Sequence, residues 1–118
     1  MEEKKLHPKL TIRLYTFDKC FGPGIAELLE RVEVHRSLRA AAQSMSMAYS
    51  KAWTMVRRCE STLGKKLLDY STGGRNGGGA ALTEDGRRIL TAYRAYCREL
   101  DGQAEKLFRE HFSNLMDE

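Results

Sequence analysis

Between Gly73 and Gly79 the chain reads GGRNGGG, seven residues of which five are glycine, and nothing else in it limits the fold as much. Such a run suits neither a helix, where each glycine costs about 1 kcal/mol against alanine, nor a strand interior, where it offers no side chain to pack. On either side lie short segments of strand character, Leu67 to Thr72 and Ala80 to Thr83. Two strands joined this way predict a hairpin with a long flexible tip, not a tight two-residue turn. Helical patterns fill most of the chain before and after it.

Upstream, Leu10, Ile12 and Leu14 alternate with Thr11, Arg13 and Tyr15, which predicts a half-buried strand over Leu10 to Phe17. Gly22-Pro23-Gly24 ends it. Ile25, Leu28, Leu29 and Val32 then follow i, i+3, i+4, i+7 and predict a first helix from about Gly24 to His35. Ser37 is a suitable N-cap for a short second helix carrying Leu38, Ala41, Ala42 and Met45 at the same spacing. Its alanines, Ala40 to Ala42, allow another helix to approach closely. After a brief break at Ser46-Met47, a third helix is expected from Ala48 to Leu63, closed by Gly64 at C′. Ala52, Met55, Val56, Cys59 and Leu63 form its apolar side. Ser50, Thr54, Arg57 and Ser61 form a polar stripe opposite, with Lys51 and Arg58 beside it. Tyr49 and Trp53 lie on the border, and packing within the domain is the expected role of Trp53.

Thr83 is placed to cap a last helix, with Glu84 and Asp85 at the positive end of its dipole. The pattern continues to about Phe112. Leu90, Tyr93, Cys97, Leu100, Ala104 and Leu107 recur at a period near 3.5, and Ile89, Tyr96 and Phe108 widen the stripe. Gly86 and Gly102 weaken it locally. A heptad-like seam of this length predicts pairing with a second copy, the alternative being that the helix folds back on its own domain.

The net charge of +4 is concentrated. Lys51, Arg57, Arg58, Lys65, Lys66 and Arg75 are opposed only by Glu60 and Asp69 between Ala48 and Arg75, so that stretch accounts for the whole excess. A basic segment on an otherwise balanced scaffold suits binding to a phosphate backbone, although an ordinary solvated helix face would also look this way. Cys20, Cys59 and Cys97 are odd in number and form no C-x-x-C pair, and His7, His35 and His111 are scattered. Neither disulfides nor a metal site is expected, and the cysteines fit a reducing cytoplasm. The opening MEEKKLHPKL has no apolar signal segment and no stretch could span a bilayer, so a cytoplasmic protein without membrane contact is expected.

The second and third helices together read as a helix-turn-helix, in which the second helix of the pair enters the major groove of DNA. Its groove-facing residues would be Tyr49, Ser50, Lys51 and Thr54, whose hydroxyl, ammonium and methyl groups can read base edges. Arg57 and Arg58, one turn on, suit phosphate, as does Arg39 at the start of the second helix. Arg75 and Asn76, at the apex of the glycine run, suit a wing probing the minor groove or nearby phosphates. The rival reading of that run, a nucleotide phosphate loop, needs G-x-x-x-x-G-K-S/T or G-x-G-x-x-G between a strand and a helix, and neither is present. No G-x-S-x-G, H-E-x-x-H or paired Cys and His offers catalysis, so no enzyme and no cofactor are expected.

Read together, SLRAAAQSMSMAYSKAW, the E-x-x-L-G at Glu60 to Gly64 and GGRNGGGAALTEDGRRIL from Gly73 to Leu90 resemble the N-terminal domain of the ModE family. These are molybdate-responsive bacterial transcription regulators, related to LysR-type regulators in their DNA-binding part. Tyr49, Ala52 and Trp53 match the family's S-Y-x-x-A-W signature, and the glycine run followed by G-A-x-L-T-x-x-G is its most specific mark. The resemblance covers roughly Leu10 to Tyr96. It implies a mainly α fold with a small β-hairpin wing: a winged helix-turn-helix over residues 1–83, its wing about 67–83, and a long dimerisation helix and tail over 84–118. It also implies a homodimer on a two-fold symmetric stretch of double-stranded DNA. The alternative is a dimeric winged-helix module that binds protein.

Three departures stand out. Arg36 replaces the family's small glycine before the second-helix serine. Ala48 replaces the serine that opens the third helix, so its cap must come from Ser46 or be lost, and Ser50 replaces a basic residue. The family's C-terminal molybdate-binding modules have no counterpart before Glu118, so molybdate is not expected to bind this chain directly.

Overall fold

A computed structural model describes residues 5–71 and 78–116. In chain order these form β1 (Leu14–Tyr15), β2 (Lys19–Phe21), α1 (Pro23–His35), α2 (Leu38–Ser44), α3 (Tyr49–Leu63), β3 (Leu68–Tyr70), β4 (Ala80–Leu82) and α4 (Glu84–Met116). The strands make two antiparallel hairpins, β1 with β2 and β3 with β4. The second is the expected wing, and the helices agree with the sequence to within a few residues.

Helix α1 starts on Pro23 at its first position and buries Ile25, Ala26, Leu28, Leu29 and Val32, the stripe its spacing predicts. Arg36 ends it at φ 62, the left-handed conformation in which glycine is the unstrained residue. The glycine-to-arginine departure therefore falls on a position that favours glycine. Ser37 caps α2, its hydroxyl accepting from Ala40 N at 3.0 Å. Ala41 and Ala42 are fully buried between α1 and α3. Arg31 of α1 reaches the last turn of α2 and donates to the Ser44 carbonyl at 2.9 Å.

The N-terminal segment departs from expectation. Only Leu14–Tyr15 is paired, and its partner is β2, a strand that the alternation pattern does not predict. Leu14 faces Phe21 and Tyr15 faces Lys19, so Cys20 is the extra residue of a bulge. The bulge turns its sulfur inward, 3.7 Å from that of Cys59 on α3. Burial pushes the Cys59 thiol well above its usual range, with Cys20 beside it reinforcing the effect.

Helix α4, 33 residues and about 50 Å at roughly 1.5 Å per residue, is divided in its use. Its first half belongs to the domain. Leu90 and Tyr93 are 7% and 3% exposed, Tyr93 packs edge-on against Phe21 with ring centroids 5.1 Å apart, and its hydroxyl donates to the Ile12 carbonyl at 2.6 Å. Arg94 grips Glu30 of α1 with two bonds of 2.6 and 2.7 Å. These two positions of the expected dimer seam, and half-buried Cys97 packed against the same cluster, thus face the chain's own core. Beyond Cys97 the helix carries half-buried Leu100, Ala104 and Phe108, with Leu107, Phe112 and Leu115 exposed.

The two glycines of α4 predict opposite outcomes. A Cβ on Gly86 would sit 2.4 Å from the Leu67 carbonyl oxygen, whereas one on Gly102 meets nothing within 4 Å among the described residues. Gly86→Ala should destabilise the fold by about 1–3 kcal/mol, and Gly102→Ala should stabilise it by about 1 kcal/mol, both read from urea unfolding. Tyr93 gives a pH signature, since burial, then its contact with the Cys97 thiol, pushes its phenol up to about 12. The unfolded phenol ionises near pH 10, so this increment of stability is complete below that value and falls as the pH rises towards 12. Unfolding midpoints against pH should flatten above pH 10 in Tyr93→Phe.

Candidate nucleic-acid interface

Helices α2 and α3 are joined by Met45 to Ala48, with Ser46 at φ 54 and Met47 N donating back to the Ala42 carbonyl at 2.9 Å. Ala48 is the N-cap of α3 and supplies no side-chain bond, so the serine cap is lost and Ser46 does not replace it. Helix α3 buries Ala52, Val56 and Cys59 against the core. The opposite face, Ser50, Lys51, Thr54, Arg57 and Arg58, is exposed along its length. This is the helix-turn-helix, with the polar stripe turned to solvent.

Two cation–aromatic pairs organise that face. The Arg39 guanidinium of α2 lies 4.3 Å above the Tyr49 ring, so the first turns of both helices meet. Arg57 lies 5.2 Å from the centre of the Trp53 ring. Trp53 is 44% exposed and is not packed into the domain as its border position suggests. Its flat face instead props Arg57 over the surface. Both arginines are held in place while their charges stay accessible.

The wing stands beside the Tyr49 edge of α3. Its entry is set by Glu60, whose Oε2 accepts from Leu67 N at 2.8 Å and Leu68 N at 3.3 Å, which gives the E-x-x-L-G signature its physical meaning. Ladder pairs run Leu68 to Leu82, Asp69 to Ala81 and Tyr70 to Ala80. At the base, Ser71 N donates to the Gly79 carbonyl and Ala80 N to the Arg36 carbonyl, at 2.9 and 3.0 Å. A Cβ on Gly79 would be crowded, coming 3.1 Å from that same Arg36 oxygen and from the Ser71 hydroxyl. A cleft of about 220 Å³ opens where Ser37, Arg39, Tyr49, Tyr70 and the wing base converge. Arg75 and Asn76 lie outside the described residues.

The structure therefore brings Arg39, Tyr49, Ser50, Lys51, Thr54, Arg57 and Arg58 onto one surface next to the wing. Sequence reasoning overlooked Tyr70, exposed on the wing beside Tyr49; Lys65 and Lys66, counted in the basic stretch but given no place at the site, line a cleft with Arg57. It also overlooked Arg13 and Lys19, because nothing local in the sequence folds the first hairpin onto α3. Among the described residues no group of three or more His, Cys, Asp and Glu is placed to hold a metal ion, and no helix is long and apolar enough to cross a membrane.

Residues 26–87 match the family described as bacterial regulatory helix-turn-helix protein, lysR family. The chain is 37% identical over 84 residues to the molybdenum transport protein ModE of Azotobacter vinelandii, covering 68% of this chain and 31% of that protein. It is 34% identical over 71 residues to the transcriptional regulator ModE of Haemophilus influenzae, covering 60% and 28%. With the DNA-binding transcriptional dual regulator ModE of Escherichia coli it shares 31% over 85 residues, covering 71% and 32%. The chain thus spans about a third of the length of these relatives.

Replacing Glu60 tests the link between helix and wing. Glu60→Ala leaves two backbone N–H groups without their acceptor and should lower stability by about 1–3 kcal/mol. Amide exchange should accelerate first at Leu67 and Leu68, ahead of α1.

Proposed function

The chain belongs to the lysR family of bacterial regulatory helix-turn-helix proteins, and from that premise we propose that it is a ModE-like transcriptional regulator that binds double-stranded DNA sequence-specifically as a homodimer. The observation that carries this reading is the exposed face of α3, where Ser50 and Thr54 lie between Lys51 and Arg58 on one edge and Tyr49 on the other. Ser50, Thr54 and Lys51 would meet base edges in the major groove. Arg39, Arg57 and Arg58 would hold phosphates, and Arg75 and Asn76 would extend from the wing.

Dimerisation would use the distal half of α4, where Leu100, Ala104 and Leu107 continue the seam beyond the domain. Phe108 and Phe112 stack at 4.9 Å on this stretch and enlarge its apolar area. Ion pairs of Arg109 with Glu105 and Lys106 with Glu110 occupy its outer faces. A two-fold pair would place two α3 helices on a symmetric operator. In this reading the protein acts in the cytoplasm, is not an enzyme and serves molybdate metabolism, the last by analogy with the names of its relatives.

A gel-shift against the DNA adjoining the protein's own gene tests the assignment. Lys51→Ala with Arg57→Ala should weaken binding and lower the slope of log K against log salt by about 0.9 for each phosphate no longer bound. Trp53 is the only tryptophan, so its emission should change on titration with the bound fragment. Unaltered affinity in the double variant would refute the surface chosen. Retained protein partners without any DNA binding at low salt would favour the protein-interaction alternative. Leu107→Glu should shift the chain towards monomer in sedimentation velocity and weaken operator binding with it.

A further inference from the structure

The first hairpin adds to α3 a surface of which the helix-turn-helix reading uses only the α3 side. Between it and α3 lies a cleft of about 500 Å³ with an apolar floor that includes Phe21, Met47 and Met55. Arg13 and Lys19 on the hairpin side and Lys51 and Arg58 on α3 line it, and no acidic residue does. All four cations are exposed. The ion pairs found among the described residues lie elsewhere, at Arg31–Glu27, Arg94–Glu30 and along α4. Four like charges around one opening repel one another unless an anion sits among them.

Position on α3 decides which anion. Lys51 and Arg58 are seven residues apart and so share one edge of the helix, while Tyr49 lies on the opposite edge, beside the wing. The base-reading stripe of Ser50 and Thr54 runs between the two edges. A helix in a major groove presents each edge to one bordering phosphate backbone. With α3 in a groove, the wing would lie towards one backbone and the first hairpin towards the other. The hairpin is also rigidly seated. Phe21 is 1% exposed, the Cys20 bulge is 3.7 Å from Cys59, and the Arg13 stem packs where Gly22 has no Cβ. The backbone that carries Arg13 and Lys19 is therefore anchored beside α3.

We propose that the β1–β2 hairpin is a second wing, whose Arg13 and Lys19 join Arg58 in clamping the DNA phosphate backbone on the side of α3 opposite the β3–β4 wing, next to the groove-facing Lys51. This rests on the DNA-binding reading above. Because phosphate contacts are independent of sequence, a mixed-sequence duplex in a salt titration is a sufficient probe.

Arg13→Gln with Lys19→Gln should lower affinity for that duplex about tenfold at low salt, and reduce the slope of log K against log salt by about two, near 0.9 for each phosphate released. Lys106→Gln with Arg109→Gln, an equal charge change on distal α4, should leave the slope unaltered. Arg13→Lys with Lys19→Arg should restore it, with circular dichroism and thermal midpoint matching wild type throughout. A wild-type slope in the Gln double variant, with wild-type protein binding normally, overturns the hairpin's role and leaves the DNA-binding reading intact. Absence of duplex binding by the wild type overturns both. A thermal midpoint raised by inorganic phosphate in wild type but not in the variant, with the duplex slope unmoved, would make the cleft a small-anion site and also overturn the clamp.

Discussion

The backbone of Leu67 is engaged from both of its hydrogen-bonding groups at once. Its N–H donates to the Glu60 carboxylate of α3, and its carbonyl accepts from Thr83 N at 2.9 Å, at the start of α4. Gly86, one turn into α4, passes so close that no side chain could stand there. Thr83 adds a second tie, since its hydroxyl donates to the Lys66 carbonyl at 2.6 Å and accepts from Gly86 N at 2.9 Å. The Leu67 side chain itself is buried. Helix α3, the wing and α4 are thereby locked at one point. In the proposed DNA complex, the same point would relate the reading helix to the wing and, through α4, to the second copy.

Electrostatics on the reading face follow from how its cations are supported. Arg39 and Arg57 lie over aromatic rings, which orient the guanidinium groups without neutralising them. A carboxylate partner would orient them equally well but cancel the charge that a phosphate needs. The one carboxylate of α3, Glu60, is committed to backbone N–H groups at the wing entry. Neighbouring Tyr70, although partly exposed, feels this setting: partial desolvation, then the Glu60 charge, raises its phenol above the usual range.

The departures from the ModE pattern acquire local explanations. Arg36 occupies a left-handed position, yet its carbonyl receives Ala80 N from the wing, so the strained junction is also a tertiary anchor. Ser46 sits at the positive φ of the turn between α2 and α3, two residues before the Ala48 N-cap. The first turn of α3 therefore has its free N–H groups without a side-chain acceptor from the cap, a feature that favours an anion nearby.

Periodicity alone determined the four helices, the buried stripe of α1, the caps at Ser37 and Thr83 and the C′ role of Gly64, because these depend on neighbours within a turn or two. The polar stripe of α3 and the wing strands were legible for the same reason, and the family motifs added the wing's place beside the reading helix. Three matters depended on contacts between residues far apart in sequence. The first hairpin exists because Cys20 and Phe21 find α3 and Tyr93, more than thirty-five residues away. The heptad seam of α4 is uniform in sequence, yet Leu90 and Tyr93 are buried in the chain's own core while its distal half extends beyond it. Trp53 has the composition of a core residue, but its angle on α3 turns it towards solvent under Arg57. A one-dimensional pattern gives the face a residue occupies on its own element; which other element covers that face is decided only when distant parts of the chain pack together.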